Sequence, residues 1–221
     1  MKIFVRTYVI LLSCLVMLLC AVSAFAASAD TLIIDDFNDG LNTNWEVKEF
    51  KGRTQYSITE QAGENVLMAF SDETASALIF KKDYSLLDYP VLSWRWKVEN
   101  LLPKGDARTR EGDDYSARIY VIFPHWLFPL TRSINYIWAN KLPKGEHIPS
   151  SYTGNSVMVA VQSGPENIGQ WVTERRNVRE DYRKIFGEEL RSVGAIAIMT
   201  DTDNTRDQAR AWYDDLRIEK K

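Results

Sequence analysis

The chain has 221 residues, 45% of them hydrophobic, with 27 Lys and Arg against 30 Asp and Glu, a formal net charge of −3. That length supports one domain whose apolar core is large enough to fold without staples. The acidic balance excludes the basic footprint that nucleic-acid binding requires.

The N-terminus reads as an export signal. Met1 to Arg6 carries Lys2 and Arg6 and no acid, Tyr8 to Val22 is almost wholly apolar, and Ala24-Phe25-Ala26 fits the small-residue pattern of signal peptidase. The apolar run is about 15 residues, whereas a spanning helix wants about 20. Residues 1–26 are therefore predicted to be a cleavable signal, and residues 27–221 one mature domain in the periplasm or outside the cell. Leu11-Leu12-Ser13-Cys14 resembles a lipobox, but the apolar stretch runs on past Cys14, and Leu19 precedes Cys20 where a small residue is expected. Both cysteines leave with the signal, so the mature domain has no disulfide or thiol chemistry. Losing Lys2 and Arg6 leaves 25 basic residues against 30 acidic ones, a net charge of −5. No later stretch is long and apolar enough to span a membrane.

Period-two alternation dominates the rest. Strands are predicted at Leu32–Phe37, Gln55–Thr59, Val66–Phe70 and Ala77–Lys81. In Val91–Val98, Leu92, Trp94, Trp96 and Val98 point one way and Ser93, Arg95 and Lys97 the other. Ala117, Ile119, Val121 and Phe123 alternate with Arg118, Tyr120 and Ile122. Further strands are Ile134–Trp138, the alternating Val157 to Gln162, Trp171–Arg175, and Ala211–Glu219. Val193–Thr200 is an apolar run suited to a strand buried on both sides. One helix is predicted near 178–186: Asn177 caps it, Glu180 takes its third position, Val178, Tyr182, Ile185 and Phe186 share a face, and Gly187 ends it. Many strands with one short helix point to an all-β, antiparallel β-sandwich of jelly-roll type.

Both ends of the chain carry a pattern. Ile34-Asp35-Asp36-Phe37-Asn38-Asp39-Gly40 with Trp45, and Trp212-Tyr213-Asp214-Asp215-Leu216-Arg217-Ile218, resemble galactose-binding-type jelly rolls, many of which are carbohydrate-binding modules. The resemblance implies first and last strands lying together, with acids there holding a structural calcium ion. Trp94-Arg95-Trp96, Gly112-Asp113-Asp114-Tyr115, Ala117 to Val121, Arg175-Arg176-Asn177-Val178 and Thr200 to Thr205 resemble a bacterial family of exported proteins, domain of unknown function 3047. That resemblance implies fold and compartment, and no activity.

The chain lacks a G-x-S-x-G elbow, an H-E-x-x-H pair and a glycine-rich phosphate loop. His125 and His147 stand alone, which argues against a zinc site or a Ser-His-Asp triad. Asp201-Thr202-Asp203-Asn204-Thr205 offers alternating oxygen ligands of the kind calcium takes; the competing reading is a polar loop capping its own amides. Asp113 and Asp114 stand before Arg118 and suit ion pairing, hydroxyl recognition or glycosidic acid–base work. Arg175 offers a planar donor fork to an anionic group. Trp126, bracketed by Pro124 and Pro129, is either an exposed stacking platform or a loop folded over the sandwich end.

The reading that results is a non-catalytic ligand-binding domain of the cell envelope, with carbohydrate as ligand. Trp126 and Trp138 are its expected stacking faces, and Asp113, Asp114, Arg118 and Arg175 its polar contacts. The alternatives are an envelope hydrolase of glycosidase type using Asp113 or Asp114, and a protein-interaction subunit of an envelope complex. Calcium, as a structural cofactor, is expected at Asp36, Asp39 and Asp215, or failing that at Asp201 and Asp203.

Overall fold

The alternation in Val91–Val98 is realised literally: Leu92, Trp94, Trp96 and Val98 are all fully buried between two stacked β-sheets. The computed structural model describes residues 30–220, so the predicted signal, its cleavage site at Ala26 and both cysteines lie outside the described residues. Strands are numbered here in chain order. The first sheet contains β1 (Thr31–Asp35), β3 (Gln55–Gln61), β4 (Glu64–Asp72), β6 (Val91–Val98), β11 (Val172–Asn177) and β13 (Gln208–Glu219). Its order is β11-β6-β13-β4-β3, with β1 also on β13. The second contains β2 (Trp45–Lys51), β5 (Ala75–Ser85), β7 (Arg118–Phe123), β8 (Arg132–Ala139), β9 (His147–Pro149), β10 (Ser156–Ser163) and β12 (Ser192–Met199), in the order β2-β5-β12-β7-β8-β10-β9.

Aromatic residues weld the two sheets together. Trp94 stacks on Tyr136 at 5.4 Å and meets Trp96 edge-on at 5.4 Å, while Trp96 lies 5.9 Å from Trp138. The first and last strands are neighbours, with Thr31 opposite Glu219 and Ile33 opposite Arg217. This is the all-β sandwich of jelly-roll type that the alternation predicts. The Asp-Asp-Phe at its start is structural: Asp35 accepts the Phe37 N–H at 2.8 Å and the Trp45 indole N–H at 2.7 Å.

The helix forms as its caps dictate. In α1 (Val178–Phe186) the Glu180 N–H donates to Asn177 Oδ1, and Gly187, at φ +71°, donates back to the Arg183 carbonyl. Val178 and Tyr182 bury their side chains, and Tyr182 meets Phe123 at 4.8 Å, closing one end of the sandwich. Among the described residues no helix is long and apolar enough to cross a membrane.

One departure from the predicted architecture matters for the site. β8 and β10 pair in parallel, whereas the other pairings are antiparallel. A parallel pair needs a crossover. Residues 140–155 supply it: Leu142 packs with Ile137, Met158 and Ala160, and β9 then joins the sheet edge antiparallel to β10.

Candidate functional site

Facing away from the core, the central strands of the second sheet present Tyr120 and Ile122 from β7, Ser133 and Asn135 from β8, and Ala195 and Ala197 from β12. Two loops rise beside this floor. One, residues 124–131, brings Pro129 and Thr131 to a groove of about 340 Å³; the other, in the β9–β10 connection, brings Thr153 and Asn155. Lys48 and Arg132 also line it. The walls are tied to each other, because Asn155 Nδ2 donates to the Pro129 carbonyl at 2.8 Å. His125 shapes the first wall by accepting the Leu127 N–H on Nδ1 at 3.0 Å. Each wall loop carries one exposed aromatic: Trp126 is 84% exposed and Tyr152 is 53% exposed. Tyr152 is held in place by Asn204 Nδ2, which donates to its hydroxyl at 2.8 Å, and by Arg110 5.2 Å from its ring.

Next to the groove, under the loop of residues 100–116, lies the acidic cluster. Gly112 sets the path of this loop, since a Cβ there would stand 2.5 Å from the Asp106 nitrogen and 2.9 Å from the Lys104 carbonyl oxygen. The turn then buries Asp113, Asp114 and Tyr115. Tyr115 donates its hydroxyl to Asp113 at 2.9 Å, and Asp114 Oδ2 accepts the Thr205 N–H at 2.6 Å. Arg118, 4% exposed, donates to Asp201 and lies between the Tyr115 and Tyr120 rings at 5.1 and 5.2 Å. Burial raises the carboxyls of Asp114 and Asp201, and neighbouring carboxylates push the same way. The opposing pull of Asp201 on the Arg118 guanidinium keeps that cation firmly protonated.

The predicted ligand residues are thus only partly brought together. Asp113, Asp114 and Arg118 do converge, but all three are buried beneath a loop. Neither carboxylate is presented at the surface in this structure, and each is engaged by a neighbour, Asp113 by the Tyr115 hydroxyl and Asp114 by the Thr205 N–H. Trp138 is corrected outright: it is 1% exposed, packed on Trp96, with its indole N–H given to the Gly164 carbonyl. Its ring has no face left for a ligand. Arg175 lies on the first sheet, opposite Ser93, and pairs with Glu219 at 2.8 Å, away from Arg118 on the second sheet. Trp126 stands in the open, as an exposed platform would.

The chain-end calcium site is also corrected. Asp36 spends Oδ1 on the Asn38 N–H at 3.2 Å, and Asp215 faces Arg217 and, at 3.3 Å, Arg95. Asp215 is thus paired with cations of the protein, and Asp36, Asp39 and Asp215 do not form a converging group among the described residues. Among the described residues, the carboxylates that converge are Asp114, Asp201 and Asp203, each offering an oxygen within 4.8 Å of the others. The Asp201 and Asp203 of the second choice are in this group; Asp114 joins them from 87 residues upstream.

Tyr120, Ile122, Tyr152 and Asn155 escaped the sequence reading. The alternation had placed Arg118, Tyr120 and Ile122 on one face, a usable signal for the first two, but nothing local ties residues 120–122 to 152–155. The first sheet offers a rival aromatic face at Trp171 and Trp212. There Lys97 lies 5.4 and 4.3 Å from the two rings and Arg95 lies 4.9 Å from Trp171, and both rings are only partly exposed, whereas Trp126 stands clear of the surface.

The structure is similar to a solved structure described as "Cellulose induced protein, Cip1", at 10% identity and a TM-score of 0.52, over 85% of this chain and 96% of that one. It is also similar to a "Carbohydrate binding module family29" domain, at 12% identity and a TM-score of 0.44, over 86% of this chain and 88% of that one. The first likeness shows a shared sandwich fold. No curated protein matches the sequence. Residues 43–217 match the model of the family described as "Protein of unknown function (DUF3047)", and the chain belongs to that family.

Proposed function

We propose that this protein is a non-catalytic, polysaccharide-binding domain of the cell envelope, and that the groove over Tyr120 and Ile122 is its binding surface. The observation that carries the reading is an open groove lined by Tyr120, Ile122, Thr153 and Asn155, whose two bordering loops carry the exposed rings of Trp126 and Tyr152. Flat, rigid rings give contact area to the apolar face of a sugar at low entropic cost. Between them the walls offer the hydroxyls of Thr131, Thr153 and Ser156 and the amide of Asn155, all suited to hydroxyl recognition. The buried Asp113 and Asp114 support a binding role over a hydrolytic one. The short apolar run ending in Ala24-Phe25-Ala26 supports export to the periplasm or beyond.

Affinity electrophoresis through neutral and anionic polysaccharides, with a reducing-end assay alongside, tests the reading. Retardation without release of reducing sugar is expected. Sugar release would replace binding by hydrolysis, and free migration through every gel would shift the groove to a protein partner.

A further inference from the structure

Asp114, Asp201 and Asp203 arrive from the loop before β7 and the turn after β12, and their oxygens lie within 4.8 Å of one another. Acidic clusters of this size occur without any ion, so the surrounding polar atoms decide the matter. Asp114 is fully buried, yet its Oδ1 has no hydrogen-bond donor. The buried hydroxyl of Thr205 stands close enough to that carboxylate to favour its charged form. A buried carboxylate oxygen with no well-formed donor carries a desolvation cost that a native structure compensates. Charge is unbalanced too. Arg118 is the one buried cation here among the described residues, and it faces Asp113, Asp114 and Asp201, with Asp203 half-buried beside them. Lys51 reaches Asp203 from the outside at 3.8 Å, and Lys104 is spent on the Thr205 carbonyl.

From this geometry we infer that Asp114, Asp201 and Asp203, with the Thr205 hydroxyl in reach, form a binding site for one hard divalent cation, of which calcium fits best. Three carboxylate oxygens within 4.8 Å of each other match the span of ligands sitting about 2.4 Å from a shared calcium ion. The candidate ligands are all oxygen, and no His or Cys joins the group, which disfavours zinc and copper. Flexible coordination suits a site assembled from two loops, where magnesium would demand near-ideal octahedral geometry. The ion neutralises the mutual repulsion of the carboxylates and clamps the Gly112–Tyr115 turn to the Asp201–Thr205 turn. The site needs no glycan, so it stands or falls independently of the groove.

The test is calorimetric titration of the purified, chelator-treated protein with calcium chloride, with melting curves alongside. One ion per chain is expected, together with a melting midpoint several degrees higher in millimolar calcium. Both effects should vanish in Asp114→Asn and in Asp203→Asn, while Asp39→Asn behaves as the parent. Asp203 is the least buried of the three and Asp→Asn keeps its shape, so Asp203→Asn is the variant expected to fold even if Asp114→Asn does not. A folded Asp203→Asn that keeps the parental calcium response overturns the site. So does a parent protein that shows neither heat nor a midpoint change with calcium, magnesium or manganese.

Discussion

The guanidinium of Arg118 lies 5.2 Å from the Tyr120 ring on one side and donates to buried Asp201 on the other. One side chain therefore links the acidic cluster to the floor of the groove. Removing it leaves Asp201 buried without its counter-ion, the costly way to break a buried pair. Arg118→Met in calcium-free buffer should lower unfolding free energy by about 3–5 kcal/mol. Arg118→Met combined with Asp201→Leu should cost less than Arg118→Met alone. Denaturant titration of the parent, Arg118→Met, Asp201→Leu and the double variant measures this; a double variant as unstable as the sum of the two singles would show that the pair is not coupled.

Trp138 and Trp96 should behave as core and not as binding residues. Truncating either to Ala should destabilise the domain by about 3–5 kcal/mol. Wherever Trp138→Ala remains folded, its polysaccharide retardation should equal that of the parent. A Trp138→Ala protein with parental stability and weakened binding would restore the stacking role that burial denies it.

The groove aromatics should show the opposite behaviour. Trp126→Ala and Tyr152→Ala each remove an exposed ring, so melting temperatures should hardly change. Stacking of this kind is worth about 0.5–1.5 kcal/mol, so each loss should weaken binding up to about tenfold. Gel-retardation constants for both variants are the measurement, and unchanged constants would exclude the wall loops from binding.

Glu174 gives a pH dependence of definite sign. Burial raises its carboxyl, and the Gln162 amide, donating at 2.5 Å, only partly offsets this. A carboxyl raised in the folded state favours folding while protonated and loses that advantage as pH rises through its folded value. The melting midpoint of Glu174→Gln minus that of the parent should therefore grow in favour of the variant as pH rises from about 4 to about 7. A flat or falling difference would contradict the raised carboxyl.

Strands with one wet face were legible in the sequence. β6 and β7 alternate cleanly because Arg95, Lys97 and Tyr120 face outward while Trp94, Trp96 and Ile119 face the core. β2 was missed because Glu46, Lys48 and Glu49 leave most of it exposed at a sheet edge, with only Trp45 buried. Trp138 was misassigned for the opposite reason. Loops cover the outer face of β8, so Ile134 to Ala139 is buried on both sides and period two no longer separates inside from outside. The helix was readable to the residue because Asn177 and Gly187 act locally. The site was least legible. Asp201 and Asp203 were visible as a pair, but Asp114 reaches them through tertiary structure alone, as Tyr152 and Asn155 reach Tyr120.

β13 comes last in the chain order of strands, yet it is not peripheral. It pairs with β6 along one edge and with β4 and β1 along the other. While the chain is being synthesised, Trp94, Trp96 and the inner face of β4 have no closed sheet to occupy until residues 208–219 are made. Assembly of the sandwich is thus tied to synthesis of residues 208–219, and the early strands must be kept from pairing with other chains in the meantime. A premature stop inside β13 would remove the middle of a sheet.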